Sequence, residues 1–125
     1  MRAAAGIQLG HCGNMSHKSI CGCTPVGASS GFNLYSPTFV RGLRAGELPE
    51  MARAYGKAVN LAREAGFDAV EIHAGHGYLI SQFLSPSTNH RKDEFGGSLE
   101  NRMRFMDMVM EEVMKAAGSD MAVLV

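Results

Sequence analysis

The chain has 125 residues, is 46% hydrophobic, and sets 12 Lys plus Arg against 12 Asp plus Glu, so its formal net charge is zero. That makes it a folded globular chain able to bury a sizeable core, with no basic stripe for nucleic acid or anionic membrane and no apolar run near the roughly 18 residues of a spanning helix. Residues 1–10 lack the charged start, apolar stretch and cleavage site of a signal peptide, and an odd number of cysteines, 3, fits a reduced compartment, so the expected location is cytoplasmic.

Residues 3–9, AAAGIQL, read as a strand. Residues 10–46 show little periodicity; Gly, Ser, Pro, Asn and Cys dominate, with a short apolar patch at 32–40, and the stretch reads as a functional loop excursion without elements of its own. From 47 to 66 the pattern turns helical: Pro49 suits the first turn, Met51, Tyr55, Ala58, Val59 and Ala62 share a face, and Gly66 supplies the stop. Residues 67–72 follow as a short apolar strand interrupted by Asp68 and Glu71. The state changes over His73, Gly75, His76 and Gly77, after which 78–84 read as a helical turn or two. Residues 85–97 form a polar loop, and Ser98 caps a second long helix whose Leu99, Met103, Met106, Met110 and Val113 recur at three and four residues. Gly118 ends that helix, and 121–125 form an uninterrupted apolar run, another buried strand.

Strand, loop, helix, strand, loop, helix, strand is the order of consecutive βα units, with strands apolar enough to be buried on both faces of a parallel sheet. A doubly wound sheet and a (β/α)8 barrel both accommodate it. The first and last strands break inside the pattern, so the expectation is a segment of a larger α/β protein, roughly half of a barrel of about 250 residues. Reactive side chains of barrels sit at the C-terminal ends of strands, where His73 and His76 fall.

Two imidazoles and the Tyr78 phenol thus leave one strand end within 6 residues. Three readings of the pair stand. Both rings aim an N–H at one point and polarise a carbonyl, with Tyr78 supplying a proton from the same side; or one histidine is buried against backbone and the other solvated; or the pair ligates a metal, for which HxxH lacks a nearby third ligand. Glu71 reads as a structural salt-bridge partner of Arg91 or Arg102. Cys12, Cys21, Cys23, His11 and His17 crowd 13 residues without matching a zinc spacing. They leave open a second overall reading, a non-catalytic or metal-binding α/β fragment. Gly75 and Gly77 lack the third glycine of a nucleotide fingerprint.

The stretch EAGFDAVEIHAGHGYLISQFLSPSTNHRKDEFGGSLENRMRF carries HxxH with Tyr, then FLSP, then NxRxDEFGGSxENRxRF. In that order and spacing it resembles the Old Yellow Enzyme family of flavin-dependent ene-reductases. GIQLGHCG at 6–13 looks like the family's flavin-contacting strand, and the HCG, CGC and NLYSPTFVRG pieces resemble its NADH:flavin oxidoreductase and 2-enoate reductase branch. The resemblance implies a (β/α)8 TIM barrel with FMN at its C-terminal mouth. This chain would give about strands 3 to 5 with their intervening helices, a partial barrel domain over 1–125 truncated at both ends.

Residue by residue, the resemblance implies that Gln8 hydrogen-bonds the flavin pyrimidine edge, where an amide can donate and accept at once. His73 and His76 are implied to bind the oxygen of the substrate's activating carbonyl. Tyr78 is implied to donate the proton after hydride transfer from FMN, reduced by NADH or NADPH, to the β-carbon of an activated alkene. Asn89, Arg91, Asp93, Asn101 and Arg102 are implied to tie the long loop to the helix start. The expected partners are a small unsaturated carbonyl compound and the rest of the barrel, and any iron–sulfur cluster belongs to parts of the parent protein beyond this chain. His11, Cys12, Gly13 and Asn14 depart from the family's HxGR, and Phe95 stands for the usual Tyr, so neither the arginine's role nor that hydroxyl transfers. Alone, these residues are expected neither to hold flavin tightly nor to turn over.

Overall fold

The computed structural model describes residues 3–125. The chain runs through β1 (Gly6–Leu9), a 3-10 turn (Gly13–Met15), α1 (Lys18–Cys21), β2 (Val26–Gly27), β3 (Gly31–Asn33) and β4 (Thr38–Gly42). A second 3-10 turn (Ala45–Glu47) leads into α2 (Leu48–Glu64), followed by β5 (Ala69–Ile72), α3 (Leu79–Leu84), α4 (Leu99–Ala117) and β6 (Ala122–Leu124). The main sheet has the order β1-β5-β6, all parallel, with Gln8 opposite Glu71 and Glu71 opposite Leu124. Among the described residues no helix is long and apolar enough to cross a membrane.

Parallel strands need crossovers, and α2 and α4 are those crossovers. Both pack against each other and into one core with Val70 and Ile72, so both lie on the same side of the sheet. A doubly wound sheet places helices on both faces. Sequential strand order with helices on one side is instead the repeating unit of a (β/α)8 barrel, here an open α/β segment rather than a closed one. The strands are therefore not buried on both faces among the described residues. Ile7, Leu9, Val70, Ile72 and Val123 face the helices, while Gly6, Gln8, Glu71, Ala122 and Leu124 line an open face.

α2 forms where the sequence places it. Pro49 lies in the first turn, and Leu48, Ala52, Tyr55, Val59 and Ala62 are buried. Its end is a Schellman arrangement, with Gly66 at φ +87°, the Gly66 N–H on the Arg63 carbonyl and the Phe67 N–H on the Ala62 carbonyl. At Gly56 the helix meets α4 so closely that a Cβ would sit 3.0 Å from the Glu112 carbonyl oxygen. Ser98 caps α4 as expected, its hydroxyl accepting from the Asn101 N–H.

The buried stripe of α4 differs from the predicted one. Leu99 and Met103 are exposed at 55% and 39%, Met106 and Met110 are half-buried against the core, and Phe105 and Val109 join the expected Val113 inside it. Methionines surround this helix, so several three-and-four spacings compete, and the side that meets the sheet decides among them. The ring of Phe105 lies 4.5 Å from that of Phe83, centroid to centroid. Both are fully buried, a contribution of about 1.5–3 kcal/mol each.

The excursion over 10–46 is not devoid of elements. β2 pairs parallel to β4, and β3 pairs antiparallel to β4, giving a second small sheet. Its patterning is inverted, which hides it from a sequence reading. Asn33 and Thr38 are buried at 8% and 9% exposure, while Phe32 and Phe39 form an outward cross-strand pair with ring centroids 5.1 Å apart. Asn33 is held inward because its amide donates to the Asn14 carbonyl at 2.6 Å and accepts from the Tyr35 N–H at 2.9 Å.

Tyr55 carries the one buried side-chain polar atom that lacks a hydrogen bond among the described residues. Its hydroxyl approaches the His11 backbone without reaching hydrogen-bond geometry, and burial pushes its pKa up to about 12. A buried hydroxyl without a partner is a cost that phenylalanine removes. We therefore expect Tyr55→Phe in the full-length protein to leave stability unchanged or to raise it by up to about 1 kcal/mol. Denaturant melts decide this; a loss of more than about 1 kcal/mol would show that the hydroxyl is paired.

Candidate active site

The site is built where β5 ends. The His73 N–H donates to the Leu9 carbonyl at 2.9 Å, which extends the ladder one residue and sets His73 opposite Gly10. Alternation then places His73 on the same open face as Glu71 and Gln8. A Cβ on Gly10 would lie 3.2 Å from that of His73, so glycine at this position leaves the imidazole room over the end of β1. The chain next reverses through two left-handed residues, His76 at φ +53° and Gly77 at φ +72°, closed by the Tyr78 N–H on the Gly75 carbonyl at 3.2 Å. A non-glycine residue at positive φ is uncommon, and here it returns His76 to His73.

His76 Nδ1 stands 3.3 Å from His73 Nε2, with the rings stacked at 5.0 Å between centroids and 28° between planes. The Tyr78 ring meets His73 edge-on at 4.9 Å. At that separation one nitrogen can donate to the other, the direction set by the ring tautomers. An oxygen seated against both can instead take an N–H from each, the arrangement that stabilises developing negative charge. His76 is exposed, and His73 and Tyr78 are half-buried, so the cluster is open to a ligand. The two rings face each other at this strand end, and neither is sunk into the helix-packed core.

Beside His76 lies an open groove of about 500 Å³, lined by Met15, Phe32, Leu34, Tyr35 and Thr88. That is the size range of small-molecule sites. It arises from the inverted hairpin, which the sequence reading passed over. Gln8 is exposed on the open face, flanked along β1 by Gly6 and Gly10. An amide rising between two residues without side chains suits a flat heterocycle, since nothing beside it stands higher.

Glu71 does not pair as expected. It is exposed in the row with Gln8 and Leu124, whereas Arg91 engages Asp93 at 2.5 Å and Arg102 donates to the carbonyls of Leu84 and Gly97. The reason is alternation: Glu71 points to the open face of the sheet, and both arginines lie on the helix side. The other loop residues do tie the loop down. Asn89 donates to the Phe83 and Phe95 carbonyls at 2.7 Å each, and Asn101 donates to the Gly96 carbonyl at 3.0 Å.

Cys12, Cys21 and Cys23 are exposed and unpaired. His17 is engaged by Ser19, and His11 Nδ1 accepts from the Gly13 N–H at 2.9 Å. Burial lowers the His11 pKa below its ordinary 6.5, which keeps the ring neutral. Among the described residues no group of three His, Cys, Asp or Glu is arranged to hold a metal ion. The residue the sequence reading missed is Gln82, a polar side chain set between Ile80 and Phe83 yet only 1% exposed. Its signal was an amide in an apolar turn.

Comparison with known proteins bears on this geometry. The NADPH dehydrogenase of Bacillus subtilis is 44% identical over 108 residues, covering 86% of this chain and 31% of the relative. The cinnamate reductase of Clostridium sporogenes is 44% identical over 113 residues, 89% of this chain and 17% of the relative. The solved old yellow enzyme homologue from Zymomonas mobilis superposes with a TM-score of 0.85 at 41% identity, over 93% of this chain and 36% of that structure. The chain thus spans about a third or less of these relatives. A sequence model of the NADH:flavin oxidoreductase / NADH oxidase family matches residues 2–125, nearly every position from the first strand to the last, and to that family the chain belongs.

Proposed function

We propose that these residues are a partial barrel domain, about strands 3 to 5, of an FMN-dependent NAD(P)H oxidoreductase that reduces the double bond of a small carbonyl-conjugated alkene. The observation that carries this reading is the convergence of His73, His76 and Tyr78 at one strand end, on the sheet face that also bears Gln8. The relatives' names, NADPH dehydrogenase and cinnamate reductase, support a nicotinamide reductant and an unsaturated acid or carbonyl as substrate class. Three exposed, unpaired thiols support a cytoplasmic location.

In this reading Gln8 would hold FMN, its one amide able to donate and accept at once. When bound and reduced by NADH or NADPH, that group would supply hydride chemistry to the alkene. His73 and His76 grip the carbonyl oxygen and stabilise the negative charge that gathers there as the alkene is reduced. Tyr78 gives its phenolic proton to the α-carbon and recovers one from water, so the substrate gains one hydride and one proton. The groove of Met15, Phe32, Leu34 and Tyr35 takes the apolar remainder of the substrate.

The test uses the full-length protein. It is expected to purify with one FMN per chain and to oxidise NADPH or NADH in step with reduction of 2-cyclohexenone or a cinnamate-type acid without oxygen. A protein that holds flavin and is reduced by nicotinamide, yet leaves every such alkene unreduced, would overturn the substrate class. One that binds no flavin would overturn the whole reading.

A further inference from the structure

Gln82 is the most deeply buried polar side chain among the described residues, at 1% exposure, and it lies in α3 beside Leu79, Ile80 and Phe83. A buried amide must find partners for its donors and its acceptor. Gln82 Nε2 donates to the Gly77 carbonyl at 2.6 Å and to Asn14 Oδ1 at 2.9 Å, with the Cys12 carbonyl at 3.4 Å. Its Oε1 accepts from the Asn14 N–H at 3.1 Å. The opposite orientation of the amide would set oxygen against the Gly77 carbonyl, so the network itself assigns it.

The Gly77 carbonyl belongs to the left-handed turn that carries His76. Such a turn costs roughly 1–2 kcal/mol at a non-glycine residue and persists only where its surroundings hold it. Two long-range tethers hold it, and both run to the segment just after β1: the Leu79 N–H on the His11 carbonyl at 2.9 Å, and the Gln82 amide with its Asn14 partner. Gly13, at φ +59°, brings that segment so near that a Cβ there would lie 2.5 Å from the amide. His73 has a separate anchor, its N–H on the Leu9 carbonyl.

We infer that Gln82 is a positioning residue that sets the His76 donor against His73, and that Asn14 is its partner, linking the end of the Gln8 strand to the carbonyl-binding turn. This rests on the function proposed above, and the experiment separates the two. Gln82→Met in the full-length flavoprotein keeps the volume and removes every hydrogen bond of the amide. In its crystal structure His76 should leave the positive φ region and its Nδ1 should move beyond hydrogen-bond reach of His73, while His73 stays in place. Kinetically, kcat/KM for the enone should fall about tenfold, with kcat as well as KM affected because the displaced donor serves the charge-bearing oxygen, and Gln82→Met should add nothing once His76→Ala is present.

Asn14→Ala, at a half-buried position, is the second variant should Gln82→Met fold poorly, and should lower kcat/KM by a smaller factor. An unmoved His76 turn, or an equal kcat/KM penalty in the presence and absence of His76→Ala, overturns the inference. A wild-type protein that reduces no enone sinks the functional proposal alone, since the crystallographic comparison still judges Gln82.

Discussion

Replacing His73 or His76 with alanine in the full-length protein is expected to lower kcat/KM for an activated alkene by about 10²-fold or more, the cost of one donor to a charge-bearing oxygen. The two nitrogens stand 3.3 Å apart, and in the proposed reading they serve one atom and act as a unit. The double variant should therefore lose less than the product of the two single losses. Bound flavin should be unaffected, since Gln8 reaches the open face from a different strand. Tyr78→Phe should behave differently: KM changes little, because the phenol meets His73 edge-on and does not lie between the two imidazole nitrogens, while kcat falls by about 10²–10⁴-fold for want of the proton. Steady-state kinetics of the four variants against flavin content make the comparison. Histidine variants that retain full turnover would remove the carbonyl-binding role, whatever Tyr78 does.

The second large effect concerns stability. Arg91→Met is expected to destabilise the protein by about 3 kcal/mol, near the lower end for breaking a buried pair because Asp93 is 34% exposed. The Arg91 side chain is 8% exposed; its guanidinium makes a two-pronged contact with Asp93, donates to the carbonyls of Ala28 and Leu43, and lies over the rings of Phe83 and Phe95 at 5.5 and 5.8 Å. One side chain therefore joins the hairpin excursion to the loop over 85–97. Met fills the volume and leaves two carbonyls and a carboxylate without their donor. Lys should not rescue it, since a single ammonium cannot reproduce the planar fork.

The same pair carries a pH signature. Hydrogen bonding from Arg91 is the main reason the Asp93 carboxyl titrates below its ordinary value of 3.8. A depressed folded-state pKa means the stabilisation is complete above that ordinary value and is lost as pH falls through the folded one. The wild type should thus lose stability on acidification below about pH 4, and Arg91→Met should lose less over the same window. Denaturant midpoints between pH 6 and 3 measure both effects. A variant within about 1 kcal/mol of wild type at pH 6 would show that the carbonyls find other donors.

Much of this was legible in the amino acids alone. The span and Gly66 ending of α2 and the Ser98 cap of α4 rest on contacts between residues within about five positions, which periodicity and capping chemistry record directly, and the strand that delivers His73, His76 and Tyr78 shows as a short apolar run although its partners Gly6–Leu9 lie far back in the chain. The motif around the two histidines likewise carried the family resemblance without coordinates. What the sequence could not settle were matters of partner and side. Which face of a methionine-rich α4 is buried, why Phe32 and Phe39 turn outward while Asn33 turns in, and why Glu71 meets neither arginine depend on residues 20 to 60 positions away. The placement of α2 and α4 on a single side of the sheet, and the Gln82 amide reaching 68 residues back to Asn14, are of the same kind. Such pairings are chosen by three-dimensional packing, because a buried amide or carbonyl accepts whichever partner the fold brings within about 3 Å.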